Sequence, residues 1–320
     1  MASFTRGPAN LDDLLASTLD HYGDGLTEQW VTGSPITKKL FDKHSDELDG
    51  GNDIVEHIEY QANGTTGFTS KTGPISTSIT PILADARWSF GWLAGSVGIY
   101  DYEEDQNKGK EAMLNLLEAR VKNVQAKFNV DMETAIGQAS TPNANTVWSL
   151  PDIVDASNPT LGNFGDIDRA TYPFWQATET ASGSMAAQGL EDVRTAFYST
   201  SRDMTDPCDL MATTQTLYEA YQARLTPFEV LASNKTGDVE FEHLAFMRKP
   251  IFFSNRMASG LFIGINSKYL RLKINKNIKF KNRPFVRAPG GQSKSSVIQL
   301  QCQLICTRPA SLFKLTGMTA

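Results

Sequence analysis

The stretch EEDQNKGKEAMLNLLEARVKNVQAKFN, residues 103–129, predicts a long helix that runs from about Tyr102 to Asn129. Its acids crowd the first turn and Lys127 lies in the last, an arrangement that the helix dipole favours. After Gly109 it would span roughly 30 Å, which suits a stiff strut, although an ordinary core helix is the alternative. Apolar residues recur at helical spacing and form one face: Met113, Leu117, Val121, Val124 and Phe128.

The segments before this helix favour strands. Residues 54–62 and 75–83 are rich in β-branched and aromatic residues, and the connection between them, NGTTGFTSKTGP, is rich in Gly and Thr. They predict a long β-hairpin whose apolar residues are divided between both faces, so that neither face makes a core. Such a ribbon is marginal alone and must pack on its own domain or on a neighbouring molecule. Residues 85–101 predict bent strand.

The rest of the chain predicts a mixed α and β fold. Residues 137–188 indicate irregular, loop-rich structure, and residues 189–225 read as helix, buried strand and helix. Strand patterns dominate from His243 onward, with apolar alternation through Leu270, Leu272 and Ile274. The fold class predicted is therefore α+β.

Residues 1–53 form an acidic segment with few apolar clusters, of which Leu11, Leu14, Leu15 and Leu19 suit one short helix. The remainder is typical of an arm that lies on another surface. No apolar run approaches the roughly 20 residues of a membrane helix, and MASFTRGPANLDD lacks the apolar stretch of a secretory signal. We therefore expect cytoplasmic synthesis and no membrane partner.

The charge of the chain is divided between its two ends. The formal net charge is −6, but residues 1–246 hold 16 Lys and Arg against all 36 Asp and Glu, a net of −20. Residues 247–320 hold 14 Lys and Arg and no acid, a net of +14. The basic part could meet acidic surface on a second molecule, meet nucleic acid, or be neutralised within one fold.

The basic stretch KYLRLKINKNIKFKNRPFVR, residues 268–287, is the strongest binding candidate. In a strand, five of its cations share one face, which could contact DNA or acids of a neighbour: Arg271, Lys273, Lys279, Lys281 and Arg283. Our hypothesis pairs this stripe with Glu56 and Glu59 of a second molecule. A solvated sheet face is the alternative, and no motif of a sequence-specific DNA binder accompanies the charge.

Catalytic and metal motifs are weak throughout. Gly91, Gly95 and Gly98 have the wrong spacing for a dinucleotide loop, and AGSVG at residues 94–98 is one residue from a nucleophile elbow but lacks the following helix. The four histidines lie far apart in the sequence. Three cysteines, in no zinc pattern, are interpreted as buried thiols. We expect no enzyme, cofactor or metal.

Four passages in order resemble the major capsid proteins of tailed double-stranded DNA phages, whose shared fold is named after the phage Hong Kong 97. They are NKGKEAMLNLLEARVKNVQ at 107–125, GNFGDIDRATYPFWQA at 162–177, FMRKPIFFSNRMASGLFIGINSKYLRL at 246–272 and CTRPASLFKLTG at 306–317. The resemblance implies an N-terminal arm (1–53), an extended loop (54–84), a peripheral domain with the spine helix (85–135 and 275–301) and an axial domain (136–274 and 302–320).

The resemblance also implies a function and partners. The subunit would assemble with itself into hexamers and pentamers of an icosahedral virion shell that encloses DNA, with a portal and a possible decoration protein. About 50 residues before the hairpin are too few for a fused scaffold, so a separate scaffolding protein is expected. Lys71 lies where some relatives carry a crosslinking lysine, but we predict no crosslink. The alternatives are an encapsulin-like nanocompartment and a nucleic-acid-binding module that uses residues 268–287.

Overall fold

The computed structural model describes residues 36–37, 40, 44–73, 77–78, 81–106, 110–139, 145–155, 163–202, 205–224, 244–287 and 291–320. These residues form two six-stranded sheets and a two-stranded ribbon. The strands are β1 (Ser45–Leu48), β2 (Asp53–Glu59), β3 (Leu83–Ser89), β4 (Gly91–Tyr100), β5 (Thr178–Ala181), β6 (Leu210–Thr213), β7 (Leu244–Phe246), β8 (Lys249–Phe253), β9 (Phe262–Ile265), β10 (Leu270–Asn275), β11 (Lys281–Asn282), β12 (Val286–Arg287), β13 (Ser293–Cys306) and β14 (Phe313–Thr316). The α-helices are α1 (Asp101–Gln106), α2 (Lys110–Gly137), α3 (Leu150–Ile153), α4 (Leu190–Thr200) and α5 (Gln215–Arg224).

The first sheet is built around β13, whose alternating apolar residues bury one face: Ile298, Leu300, Cys302, Leu304 and Cys306. On one side β13 pairs with β10, β11 and β12, and β1 adds to β10 in parallel. On its other side β13 pairs with β4. Helix α2 packs closely on β4, because Gly95 leaves room for Val124 and Phe128.

The second sheet has the order β5-β14-β9-β6-β8-β7. Its central strand β6 is buried on both faces, which explains the uninterrupted apolar run Leu210–Thr213. Helix α4 packs on β14 and β5, while α5 packs on β8. The sequence prediction of helix, buried strand and helix across 189–225 is confirmed by α4, β6 and α5.

The predicted hairpin is half correct. Strand β2 lies where residues 54–62 predicted one, but its partner is β3, in a register from Asp53↔Ser89 to Glu59↔Leu83. Residues 77–78 and 81–82 lie outside any strand, so the prediction of a strand over 75–83 was wrong. The prediction that neither face makes a core was also wrong, because one face of the ribbon is buried: Ile54, Ile58, Ala86 and Trp88.

The long helix is confirmed, but its end was predicted eight residues too early. Helix α2 continues to Gly137 because its apolar face continues through the buried Met132 and Ile136. Lys127 is therefore not in the last turn. Side-chain contacts of Met113 and Leu117 lie outside the described part of the chain.

The cores of the two sheets are continuous. One cluster of buried residues includes Leu272 and Leu304 of the first sheet together with Ala212 and Ile263 of the second. The three cysteines, Cys208, Cys302 and Cys306, are buried free thiols, as the sequence predicted. The short helix predicted at Leu11–Leu19 lies outside the described residues. Among the helices that are described, none is long and apolar enough to cross a membrane.

Candidate functional site

The basic stretch of residues 268–287 is one interrupted strand that runs along β13. Its three pieces, β10, β11 and β12, all pair antiparallel with β13, and a 3-10 turn at Lys276–Ile278 separates the first two. Arg271, Lys273 and Lys281 pair with Ile305, Gln303 and Gln299, which lie at alternate positions of β13 and therefore on one face. Arg283 reaches the same face, where its Nε donates to Gln299 at 3.2 Å. Lys279 follows the turn and lies in no strand.

Lys273 is the most buried cation of the stretch, with 9% of its surface exposed. Its Nζ lies 2.7 Å from Oε1 of Glu56 on the ribbon and 3.0 Å from Oδ2 of Asp46 on β1. Burial alone would lower the pKa of Lys273, but the hydrogen bonds to Glu56 and Asp46 outweigh it and raise the pKa above its ordinary value. Lys273 therefore stays charged and joins β1, the ribbon and the first sheet.

The neighbouring cations hold the acidic strand β1 in the same way. Nζ of Lys279 lies 2.6 Å from Oε1 of Glu47, and this hydrogen bond is the main cause of the lowered pKa of Glu47. Nζ of Lys276 lies 3.5 Å from Oδ1 of Asp49, and Nη1 of Arg271 lies 3.7 Å from Oδ1 of Asp46. None of the four residues of β1 is fully buried, so ion pairs hold this strand to the sheet together with its backbone pairing.

The candidate residues are thus divided into two groups. Lys273, Lys279, Arg271 and Glu56 make ion pairs within the chain. Lys281, Arg283, Glu59 and Lys71 are exposed, and none of these four makes an ion pair with any residue that the structure describes. The sequence reasoning missed Asp46, Glu47 and Asp49, although the acidic word SDELDG, opposite in charge to residues 268–287, was a signal for them.

The ribbon is anchored at its base by a cluster of aromatic rings. Trp88 of β3 packs edge-on against Phe164, with ring centroids 5.5 Å apart, and lies 6.5 Å from Trp175. Gly165 has a φ of +63° and approaches Trp88 so closely that a Cβ would lie 2.8 Å from the indole ring. The passage FGDIDRATYPFWQA, residues 164–177, therefore provides the surface on which the base of the ribbon packs.

Arg169 also belongs to the surface that anchors the ribbon. It is buried, its Nη1 donates to the carbonyl oxygens of Asp152 at 2.8 Å and Asp155 at 3.3 Å, and its guanidinium lies 4.8 Å from the ring centroid of Phe164. Burial lowers its pKa from the ordinary value. The contacts of Arg169 are internal, which assigns it to the anchor of the ribbon.

Beyond its base the ribbon continues into an exposed loop. Phe68 in this loop is fully exposed, and Lys71 close by is exposed as well. Ile82 and Leu83 at the return of the loop also expose much of their apolar surface. The loop and its return therefore present large apolar side chains to solvent.

The residues considered for chemistry do not come together. Ser96 lies in the middle of β4, so AGSVG is not the strand-to-helix turn of a nucleophile elbow. On the exposed face of the ribbon, the Nδ1–H of His57 donates to Oδ1 of Asp85 at 2.6 Å. His21 and His243 lie outside the described residues. Within the part of the chain that is described, no three His, Cys, Asp or Glu side chains are grouped to hold a metal ion.

The architecture is similar to that of several solved capsid and encapsulin structures. The chain is similar to the subunit of the cyanophage A-1(L) capsid, with a TM-score of 0.65 at 11% identity over 86% of this chain and 90% of that chain. The capsid subunit of a native GTA particle gives a TM-score of 0.59 at 11% identity, over 88% of this chain and 90% of that chain. The SrpI encapsulin of Synechococcus elongatus gives 0.52 at 10% identity, over 90% of this chain and 89% of that chain. No protein-family model and no curated protein matches the sequence.

These likenesses cover most of the chain and define its class of fold. The protein has the α+β fold of Hong Kong 97-like capsid subunits, with the long helix, the projecting ribbon and two sheets in the expected order. The expectation drawn from the four sequence passages is therefore confirmed for the fold. Function has to be argued from the surfaces.

Proposed function

We propose that this protein is the major capsid protein of a tailed double-stranded DNA phage, a structural subunit without catalytic activity. The observation that carries the proposal is the ribbon with its loop, in which Phe68 is fully exposed. An exposed aromatic residue on a projecting loop costs solubility in a monomer and gains a role when a second copy covers it. The fold shared with phage capsid subunits supports the same reading.

We infer the domain organisation of the subunit from the same resemblance. Residues 1–53 act as an arm, 54–84 as the extended loop, 85–135 with 275–301 as the peripheral domain, and 136–274 with 302–320 as the axial domain. Two elements argue for adjusted boundaries, because α2 continues to Gly137 and β13 continues to Cys306. Hexamers and pentamers would form around the axial domains.

The other partners that we propose are those that the head of a tailed phage requires. The head encloses DNA without reading its sequence, and the exposed Lys281 and Arg283 are the cations of residues 268–287 that could face it. A separate scaffolding protein, a portal and a possible decoration protein complete the assembly. The subunit would be made in the cytoplasm of the bacterial host and end in the virion.

A second candidate is a protein nanocompartment, because the fold is also similar to that of the SrpI encapsulin. That shell would enclose protein in place of DNA. A nucleic-acid-binding module built on residues 268–287 is a weaker candidate, because Arg271, Lys273, Lys276 and Lys279 are occupied by acids of the same chain.

Negative-stain electron microscopy of the purified protein, expressed with its phage neighbours, tests the proposal. The expected result is uniform polyhedral shells. Particles recovered from infected cells should in addition contain DNA. Shells filled with one host protein would favour the nanocompartment. Monomers or dimers that persist with a scaffolding protein present would overturn both shell readings and direct attention to DNA binding by residues 268–287.

A further inference from the structure

The exposed loop contains the dipeptide Asn63–Gly64, the single Asn-Gly pair of the sequence. Both residues are exposed, and a Cβ at Gly64 would meet no heavy atom within 4 Å. The backbone nitrogen of Gly64 is therefore unhindered, and glycine rotates about its backbone bonds more freely than other residues do. Under these conditions the nitrogen can reach Cγ, the side-chain carbonyl carbon of the asparagine before it.

The side-chain carbonyl of Asn63 is held by two donors from one residue. The backbone N–H of Thr65 donates to Oδ1 of Asn63 at 3.0 Å, and the Thr65 hydroxyl donates to the same oxygen at 2.7 Å. Negative charge develops on Oδ1 when a nucleophile adds to Cγ. Donors fixed at such an oxygen lower the barrier to addition, as they do in an oxyanion hole. Thr65 therefore makes Cγ of Asn63 a better electrophile.

The backbone carbonyl of Asn63 has a donor of its own. The hydroxyl of Thr66 donates to this oxygen at 2.7 Å. The oxygen belongs to the same peptide unit as the Gly64 N–H, so it shares the negative charge when that nitrogen loses its proton. A hydrogen bond to the charged form favours that form. Thr66 therefore makes the Gly64 nitrogen easier to deprotonate.

We propose that residues 63–66 promote the deamidation of Asn63. Water or hydroxide takes the proton of the Gly64 nitrogen, whose electron pair forms a bond to Cγ of Asn63. The bond from Cγ to Nδ2 breaks, and Nδ2 takes a proton and leaves as ammonia. One water then opens the resulting succinimide at either of its carbonyl carbons. The products are aspartate and isoaspartate at position 63, each with a new negative charge.

Mass spectrometry of the folded subunit, incubated at neutral pH and physiological temperature, tests the reaction. The peptide that contains Asn63 should gain about 1 Da and separate into two products by chromatography. Asn266 is the internal control, because it precedes Ser267 but is buried and its amide donates to Asp206. It should stay intact. An Asn63 that lasts as long as Asn266 would overturn the proposal.

Four variants test the roles of the neighbours. Gly64→Ala, which places a methyl group beside the nucleophile, should slow the conversion at least about fivefold. Thr65→Val and Thr66→Val each remove one hydroxyl donor and should slow it about twofold to fivefold. Thr69→Val, in the same exposed loop, leaves all three donors in place and should convert at the wild-type rate. Wild-type rates in both Thr65→Val and Thr66→Val would show that these residues do not promote the reaction.

The conversion has a consequence that rests on the proposed function. Residues 1–246 carry a net charge of −20, so a further negative charge in the loop raises the repulsion between copies. Fresh wild-type subunits should form shells at a yield at least about twofold above that of aged subunits. Asn63→Gln, whose longer side chain closes the ring more slowly, should lose no yield on ageing.

The possible failures are distinguishable. Equal shell yields from fresh and aged wild-type subunits would refute the effect on assembly. Absence of wild-type shells under every condition would instead refute the proposed function. The mass of the Asn63 peptide in dissociated subunits decides the chemistry in either case.

Discussion

At the scale of single residues, Gly264 shows how tightly the second sheet is packed. It is buried in β9, and a Cβ at this position would overlap ring carbons of Phe313 on the neighbouring strand. We expect Gly264→Ala to lower the free energy of unfolding by about 1–3 kcal/mol or more, because the ring has no free space to enter. Thermal unfolding of the subunit measures this. Gly64→Ala, in the exposed loop with nothing near its Cβ, should change stability by less than about 0.5 kcal/mol.

Replacement of Lys273 should lower the free energy of unfolding through lost ion pairs. Replacing it with Met would leave the Glu56 and Asp46 carboxylates without the cation that both share. Because these carboxylates are partly exposed and can regain water, we expect a loss of about 1–3 kcal/mol, less than for a fully buried pair. The matched control is Lys276→Met, whose partner Asp49 is largely exposed, with an expected loss below about 0.5 kcal/mol. Equal losses in urea unfolding would contradict the special role of Lys273.

The three thiols should be inert in the folded subunit. Burial raises the pKa of Cys208, Cys302 and Cys306 to about 12, so the reactive thiolate is scarce at pH 8. We expect iodoacetamide to modify none of them at this pH until denaturant is added, and then all three. An exposed reporter, Ser295→Cys, should react in the folded state. Mass spectrometry counts the modified sites, and a native thiol that reacts as fast as the reporter would contradict this packing.

At the scale of elements, β1 is held to β10 by charge, and the Lys279–Glu47 pair lets this be measured. Lys279→Glu should speed hydrogen exchange of the Ser45–Leu48 amides about twofold to fivefold, and the exchanged pair Glu47→Lys with Lys279→Glu should restore it. The lowered pKa of Glu47 means that its stabilisation is present above the ordinary value of 4.5 and is lost as the pH falls through the lowered value. A double variant as loose as Lys279→Glu would argue against the pair.

The elements also show what the sequence could and could not predict. Helix α2 and strand β13 were predictable because each has a long apolar pattern of one period, and strand β6 was predictable because its short apolar run lies between two helical segments. The partner of β2 was not predictable from the sequence. The sequence of β3, LADARWS, has a weaker strand composition than ISTSITPIL, residues 75–83, which was predicted as the partner. The burial of Trp88 against Phe164, a contact distant in sequence, overrides that local preference.

The candidate site was predictable in composition but not in pairing. The parity of Arg271, Lys273 and Lys281 was correct, because the residues inserted at the 3-10 turn are even in number and return the strand to the same face. The choice between partners inside the chain and on a neighbour could not be made from a charge tally. It depends on where residues 44–50 lie, and their short acidic strand carries little hydrophobic pattern.

At the scale of the whole molecule, the charge of the two ends is largely neutralised inside one chain. Ion pairs connect the basic segment to acids of the first 246 residues in both sheets: Lys268–Asp206, Lys273–Asp46, Lys273–Glu56, Lys279–Glu47, Arg287–Asp101 and Lys314–Glu179. Of the three meanings that the charge division allowed, internal neutralisation is the one these contacts support. Within residues 268–287, Lys281 and Arg283 are exposed and make no ion pair with any residue that the structure describes.

The distribution of residues 247–320 over both sheets predicts how the subunit unfolds. Residues 247–320 provide β13 at the centre of the first sheet and β8, β9 and β14 of the second, so neither sheet can form without them. The buried cluster that joins Leu272 and Leu304 to Ala212 and Ile263 leaves no plane along which the sheets could separate without exposing apolar surface. We expect one cooperative thermal transition, with hydrogen exchange of β13 and β9 rising together. Two separated transitions would show that the sheets are independent units. A single transition means that the two sheets form one stiff unit, to which the ribbon and its exposed loop are attached.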